Sequence, residues 1–425
     1  MDNSQFRKLL EQGSGGAILY AKENDVSRFQ DLILDACLHC YSIDPQMEGT
    51  RSSYMLELLS HVPDKTFYYE AVLNALERGG EENYHIMQWF GFAADMAKNG
   101  DLRAKRIMYE NYRPGPRHGE SIGAIFVDMD GLDGLLFVAE KLGAVHIAKT
   151  AVIDSGWLLG NSIEKFGEQA TLEALNTASE KSPAIAAYRD AAKAKLNDID
   201  HDWRTRREQL FALGYDQLKP QLLGMSRSSI RQWGEHASAE NFNRAAEGLV
   251  AAQEVKDQLA HLAIFIGKAF PLDCQTLLAL AASEEEKVAW VAVIVLGQIK
   301  HPSVREFALH LIESKAIARG GAIQLIVRNF QLGDHELVMG WFQAEQDRET
   351  LHTMNIGLRQ LLKQHPNQSV DVQILQAVYD KGSCSVCREF AIQRLLELNA
   401  LTVDQRAECA YDANQEIQQM VAGVD

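Results

Sequence analysis

Residues 283–312 read SEEEKVAWVAVIVLGQIKHPSVREFALHLI, and this stretch decides the fold class. Ser283 followed by Glu286 matches a capping box, so a helix is expected over about 284–299. Its apolar residues lie on nearly every side, which suits a helix between neighbouring helices; their β-branched density also suits a buried strand. Pro302 then opens a second, one-sided amphipathic helix. Its apolar stripe consists of Val304, Phe307, Ala308, Leu311 and Ile312.

Paired amphipathic segments continue to the C-terminal end of this half, with a period of roughly 30 to 40 residues. A helical pair of this kind buries its apolar face only when a neighbouring pair covers it, so the pattern predicts stacked hairpins. The expected segments are Gly321–Phe330, His335–Phe342, Glu349–Leu362, Val370–Tyr379 and Cys387–Leu398.

Two segments carry a family resemblance. Residues from Pro302 (PSVREFALHLI) and from Val386 (VCREFAIQRLLEL) resemble the second-helix opening of HEAT and armadillo-like repeats, and DLRAKRIM from Asp101 is a weaker relative. The resemblance covers residues 280–400 well and 50–115 loosely. It implies an all-α fold, an α-solenoid of stacked antiparallel helical hairpins forming a HEAT-like superhelix. Function varies widely in such families, so the resemblance concerns fold alone.

The chain is expected to divide into three parts. Residues 1–112 form irregular N-terminal helical repeats, 113–200 a helical region that follows a Pro/Gly-rich loop, and 201–425 the C-terminal HEAT-like repeats. The helical pattern breaks over 113–131. Its first part, RPGPRHGES from Arg113, cannot be helical across two prolines and is expected to be a rigid, exposed connection. A long polar helix is expected from Pro183 towards Leu213.

Composition limits the classes of function. The hydrophobic fraction is 46%, which is enough for a core, and the net charge is −16. Such a charge disfavours nucleic acid and anionic membranes, and it indicates a basic partner or simple solubility. The N-terminus has no apolar leader and the run Val288–Ile299 is too short to span a bilayer. Six cysteines do not form a disulfide framework, so a reducing cytoplasm is the expected location.

Two CxxC pairs, Cys37-Leu-His-Cys40 and Cys384-Ser-Val-Cys387, have the spacing of zinc ligands. One zinc site would need both pairs to meet, and segments so far apart in an elongated array should not. Buried cysteine is also commonly a small hydrophobe. Asp128–Gly134 fails the EF-hand pattern, and no nucleophile elbow, phosphate loop or metalloprotease motif occurs. No metal, no cofactor and no catalytic residue are expected; whether the chain is an enzyme stays open, with a non-enzymatic role favoured.

Two basic stretches interrupt the acidic chain and are the expected partner-binding surfaces. Arginine suits carboxylates and phosphates, although these side chains could instead pair with acidic residues of a neighbouring repeat. The first stretch contributes Arg103, Arg106, Arg113, Arg117 and His118, and the second Arg204, Arg207, Arg227 and Arg231.

The favoured function is a protein–protein interaction scaffold or adaptor, or an inhibitor or immunity-type protein, whose repeat surface binds another protein, one that is basic. The alternative is a nucleotide- or nucleic-acid-binding helical-repeat module that uses the arginines. The sequence does not determine the oligomeric state.

Overall fold

The computed structural model describes residues 1–79, 84–114, 119–149, 156–314 and 316–423, with the backbone alone at 197–204, 317, 368 and 369. Over these residues the chain is all-α and contains no strand, so the all-α expectation is confirmed and the alternative of a buried strand after Ser283 is wrong. Among the same residues, no helix is both long enough and apolar enough to cross a membrane.

The chain forms two compact units. Unit 1 comprises residues up to Arg204 together with the segment that starts at Val403, and unit 2 comprises Thr205–Thr402. The division falls inside the helix Pro183–Ala212. This helix confirms the long helix expected from Pro183 towards Leu213. The sequence pattern grouped the residues from Val403 onwards with the C-terminal repeats. The expected domain border at residue 113 stays a prediction.

Most of the helices that the structure describes in unit 1 before the division have 15 residues or fewer, and the two long ones are Gly119–Ile147 and Pro183–Ala212. The helices of its first part are α1 Asn3–Gln12, α2 Gly16–Glu23, α3 Gln30–Leu38, α4 Pro45–Glu48, α5 Ser52–Ser60, α6 Lys65–Arg78, α7 Tyr84–Lys98, α8 Leu102–Asn111, α9 Gly119–Ile147, α10 Trp157–Phe166, α11 Glu168–Ser179 and α12 Pro183–Ala212. A 3₁₀ turn, Ser27–Phe29, precedes α3. One core cluster of this unit gathers around the stacked rings of Phe6 and Phe29, 4.2 Å apart, and another around Phe126.

The break in the helical pattern expected over 113–131, with a rigid exposed connection over 113–121, is wrong from Gly119 onwards. Residues 115–118 lie outside the described part, but α9 is helical from Gly119, with a kink at Gly131 where φ is +63°. Ile122, Phe126 and Val127 are buried in the core. Because these apolar side chains repeat at helical spacing, tertiary burial extends the helix almost to the prolines.

Unit 2 contains a continuous series of helices. They are α13 Tyr215–Leu218, α14 Arg227–His236, α15 Ala239–Ala251, α16 Val255–Ile264, α17 Gln275–Ala281, α18 Glu286–Leu296, α19 Pro302–Glu313, α20 Ala322–Arg328, α21 Asp334–Ala344, α22 Arg348–Gln364, α23 Gln368–Lys381 and α24 Ser385–Glu397. The 3₁₀ segments Lys219–Gly224 and Ile317–Gly321 lie between them.

Packing in unit 2 alternates along the chain. Helix α14 contacts α16, α16 contacts α18, α18 contacts α20, α20 contacts α22, and α22 contacts α24. Among the odd-numbered helices, α21 contacts α23. From α14 to α24, each even-numbered helix therefore packs against the next even-numbered one. The last four of them, α18, α20, α22 and α24, are called here the even-helix row.

The helix boundaries of the deciding stretch are partly as expected. Pro302 occupies the first position of α19, where His301 Nδ1 accepts the Ser303 amide at 3.2 Å. The capping box at Ser283 is wrong: its hydroxyl accepts the amide of Glu285 at 3.1 Å, and α18 begins only at Glu286. A hydroxyl bonded two residues ahead closes a turn, and this turn delays the helix.

Two final helices complete unit 1: α25 Val403–Cys409 and α26 Gln415–Ala422. The amide of Ala413 donates to the carbonyl oxygen of Gly13 at 2.8 Å. A Cβ at Gly15 would lie 1.9 Å from the carbonyl oxygen of Glu408, so glycine is required for this approach. The segment thus packs on the α1–α2 turn.

Candidate functional site

The first predicted arginine surface lies partly on α8. Asp101 caps this helix by accepting the amides of Arg103 and Ala104, and the buried face of α8 leaves Arg103 and Arg106 exposed. Arg103 forms a salt bridge with Glu70 of α6, with Nη1–Oε1 at 2.6 Å, and this pairing raises the pKa of the guanidinium. Arg103 is therefore already paired with a carboxylate of its own unit. Such pairing within the chain is the alternative to partner binding given above.

Of the remaining members of the first surface, the structure describes Arg113. Arg113 is exposed and donates to the backbone carbonyl of Tyr112 at 3.0 Å. Arg117 and His118 lie outside the described residues. The structure therefore does not describe a contiguous five-residue surface here.

The second predicted surface divides between the two units. The side chain of Arg204 lies outside the described residues, and Arg207 packs over the ring of Phe211 at 5.2 Å. Arg227 and Arg231 share one exposed face of α14. Arg231 forms a salt bridge with Glu235 on the same helix, with Nε–Oε1 at 3.0 Å.

A basic surface that the sequence analysis missed lies at the C-terminal ends of the even-helix row. A cleft of about 790 Å³ there, called here the basic cleft, carries no carboxylate among its described lining residues. Its cations are Arg328, Arg359, Lys363 and Arg394, and its other polar side chains are Gln298, Gln360 and Gln364.

The packing of the even-helix row brings these cations together. Arg328 of α20, Arg359 of α22 and Arg394 of α24 follow one another at about 30 to 35 residues, the spacing of a helical-pair repeat. The guanidinium of Arg359 lies 4.8 Å from the ring centroid of Phe390, and Arg394 forms a salt bridge with Glu397. A search for cations at the repeat period, rather than for local runs, could have found them.

A thiol–imidazole cluster lies near the opposite end of α22. The ligand atoms of His352, Cys384 and Cys387 all lie within 4.8 Å of one another, and His352 Nδ1 is 3.6 Å from Cys387 Sγ. Cys384 and Cys387 are 1% and 5% exposed, and His352 is half-buried. The CxxC spacing indicates Cys384 and Cys387 but not His352, which is 35 residues before Cys387.

The first CxxC pair has different neighbours. Cys37 is fully buried in the core of unit 1, and this burial raises the pKa of its thiol. The amide of Cys40 donates to His85 Nδ1 at 2.8 Å. Burial lowers the pKa of His85, and the charge of neighbouring His39 lowers it further. The two CxxC pairs belong to different units, and the three-residue cluster forms without the first pair.

No family model matches the chain, and neither a curated protein nor a solved structure matches it.

Proposed function

We propose that this chain is a non-enzymatic interaction protein, built as an α-solenoid of HEAT-like antiparallel helical hairpins, that binds an acidic segment of another protein in the basic cleft. The observation that carries the proposal is that three successive helices of the even-helix row contribute cations to one cleft: Arg328 from α20, Arg359 and Lys363 from α22, and Arg394 from α24. Solenoid surfaces bind extended partners because each repeat adds an equivalent position.

The cleft has a positive local charge even after the helix ends are included. Each helix C-terminus contributes about −0.5 charge, and α18, α20, α22 and α24 all end near the cleft. Arg328, Arg359 and Lys363 outweigh these ends, while Arg394 is offset by Glu397. The expectation of a basic partner rests on the net charge of the whole chain, and the local charge of the cleft instead favours carboxylates.

Charge favours a protein over nucleic acid as the partner. Four cations contact too few phosphates to overcome the repulsion between a polyanion and a chain of net charge −16. A short acidic peptide segment carries fewer charges, and its side chains can also accept hydrogen bonds from the cleft's glutamines. A cytoplasmic location suits this role and remains a prediction.

The test is fluorescence anisotropy with a labelled oligoglutamate peptide and a single-stranded oligonucleotide of equal charge. Wild type is compared with Arg359→Ala/Lys363→Ala, and the matched control is Arg227→Ala/Arg231→Ala on α14. We expect peptide binding that weakens roughly tenfold in the cleft variant and is unchanged in the control.

Equal weakening in both variants, or no peptide binding at low salt, would contradict the proposal. Tighter binding of the oligonucleotide that is lost in the cleft variant would replace it with the nucleic-acid alternative. Small-angle scattering of the whole chain tests the solenoid arrangement, because a spherical particle would contradict it.

A further inference from the structure

The cluster of His352, Cys384 and Cys387 has the composition and spacing of a zinc-type site. Zinc bonds of about 2.3 Å to sulfur and about 2.05 Å to nitrogen, at tetrahedral angles, place the two donor atoms about 3.6 Å apart. The observed separation of His352 Nδ1 and Cys387 Sγ is 3.6 Å. Two sulfurs of one such site are about 3.8 Å apart, which is within the 4.8 Å that encloses all three ligand atoms.

The local structure places both sulfurs at one end of a helix. Cys384 is the N-cap residue of α24 and Cys387 lies in its first turn. Arg388 is 1% exposed, and its Nη1 donates to the carbonyl oxygen of Gly382 at 3.2 Å, which holds the turn before Cys384. The N-terminal end of a helix carries partial positive charge and favours the thiolate form that binds metal.

The third donor comes from another helix. His352 lies near the start of α22, and α22 contacts α24 in the even-helix row. Packing alone explains two buried thiols, because cysteine often serves as a small hydrophobe. It does not require an imidazole nitrogen at ligand distance from them.

We propose that His352, Cys384 and Cys387 bind one Zn²⁺ ion, which links α22 to the start of α24. Binding converts both thiols to thiolates and releases two protons to solvent, while His352 binds through neutral Nδ1. The chain supplies three donors to the four-coordinate ion, so water completes its coordination. The site does not depend on the basic cleft, whose Arg359 and Lys363 lie two to three turns further along α22, roughly 10 to 17 Å away.

The first experiment uses the full chain, stripped with chelator under reducing conditions, supplied with ZnCl₂ and desalted. Metal analysis is expected to give about one zinc per chain. His352→Ala and Cys387→Ser each weaken binding more than about 100-fold, beyond the loss typical of outer-shell residues. Cys40→Ser is the matched control, since it alters the other CxxC pair, and it retains the zinc.

The second experiment needs no variant. Co²⁺ added to the stripped wild-type chain is expected to give the intense visible bands of a tetrahedral ion and a thiolate-to-cobalt charge-transfer band, both displaced by Zn²⁺. A six-coordinate cobalt spectrum, the absence of retained zinc, or zinc retained equally by His352→Ala and Cys387→Ser would overturn the proposal. Loss of two thiols on exposure to air without metal uptake, reversed by reductant, would also overturn it and would identify a disulfide pair.

Discussion

The two CxxC pairs have the same spacing and opposite placements. Cys37 lies near the C-terminal end of α3 and faces the core, whereas Cys384 and Cys387 occupy the N-terminal end of α24. The first end carries partial negative charge and the second partial positive charge, so only the second favours thiolates. A third donor, His352, approaches only the second pair. Ligand spacing therefore becomes informative only together with helix polarity and the neighbouring helix.

The largest expected effect that distinguishes the two pairs is stabilisation by zinc. At a zinc concentration 1,000 times the dissociation constant, the free energy of unfolding of unit 2 should rise by about 4 kcal/mol. Cys384→Ser/Cys387→Ser should abolish the increase, and Cys40→Ser should keep it. Urea unfolding with and without zinc measures both; an increase that survives in the double variant would contradict the assignment.

The next effect concerns the buried thiol of the first pair. Cys37→Ser places a hydroxyl in the apolar core of unit 1, and we expect the free energy of unfolding to fall by about 1 to 3 kcal/mol. Cys37→Ala should cost less, because it adds no polar group that needs a partner. The two variants are compared by urea unfolding in chelator, and a larger loss for alanine would show that packing, not polarity, dominates at this position.

The smallest effect is a pH dependence next to Cys40. The pKa of His85 is below its ordinary value of 6.5, so the unfolded chain binds the proton more tightly. The stabilisation is complete above about pH 6.5 and is lost as pH falls through the lowered value. Protonation at Nδ1 also removes the acceptor of the Cys40 amide, a bond worth about 1 kcal/mol. The difference in unfolding free energy between wild type and His85→Ala should shrink from pH 7 to pH 5, and a difference that grows would contradict this account.

Sequence signals such as proline predicted helix boundaries well where interactions between neighbouring residues determine them. Pro302 begins α19, and Pro183 begins a helix that ends within a residue of the expected Leu213. The signal failed over 119–131, where burial of Phe126 outweighs nearby prolines, and at Ser283, whose hydroxyl closes a turn instead of capping a helix. Both failures arise because tertiary packing or an alternative local hydrogen bond competes with the pattern.

The candidate sites were harder to predict because they depend on stacking. The motif Arg-Glu-Phe-Ala occurs twice, yet Arg305 binds Asp334 through two hydrogen bonds, while Arg388 is buried beneath a turn. The first copy lies on α19 and the second on α24, in different series of helices. The same four residues therefore contact different neighbouring helices. His352 has no local signature at all, since only the contact between α22 and α24 makes it a ligand candidate.

The docking of Ala413 on Gly13 has a consequence during synthesis. Ribosomes add about 5 to 20 residues per second, so α1 and α2 emerge roughly 20 to 80 seconds before the segment that covers their turn. During that interval all of unit 2 is synthesised, and the surface around Gly15 is not yet covered by the segment that contains Glu408. Unit 1 therefore cannot reach its final packing until the segment from Val403 has been made, although its first helices are the earliest to leave the ribosome.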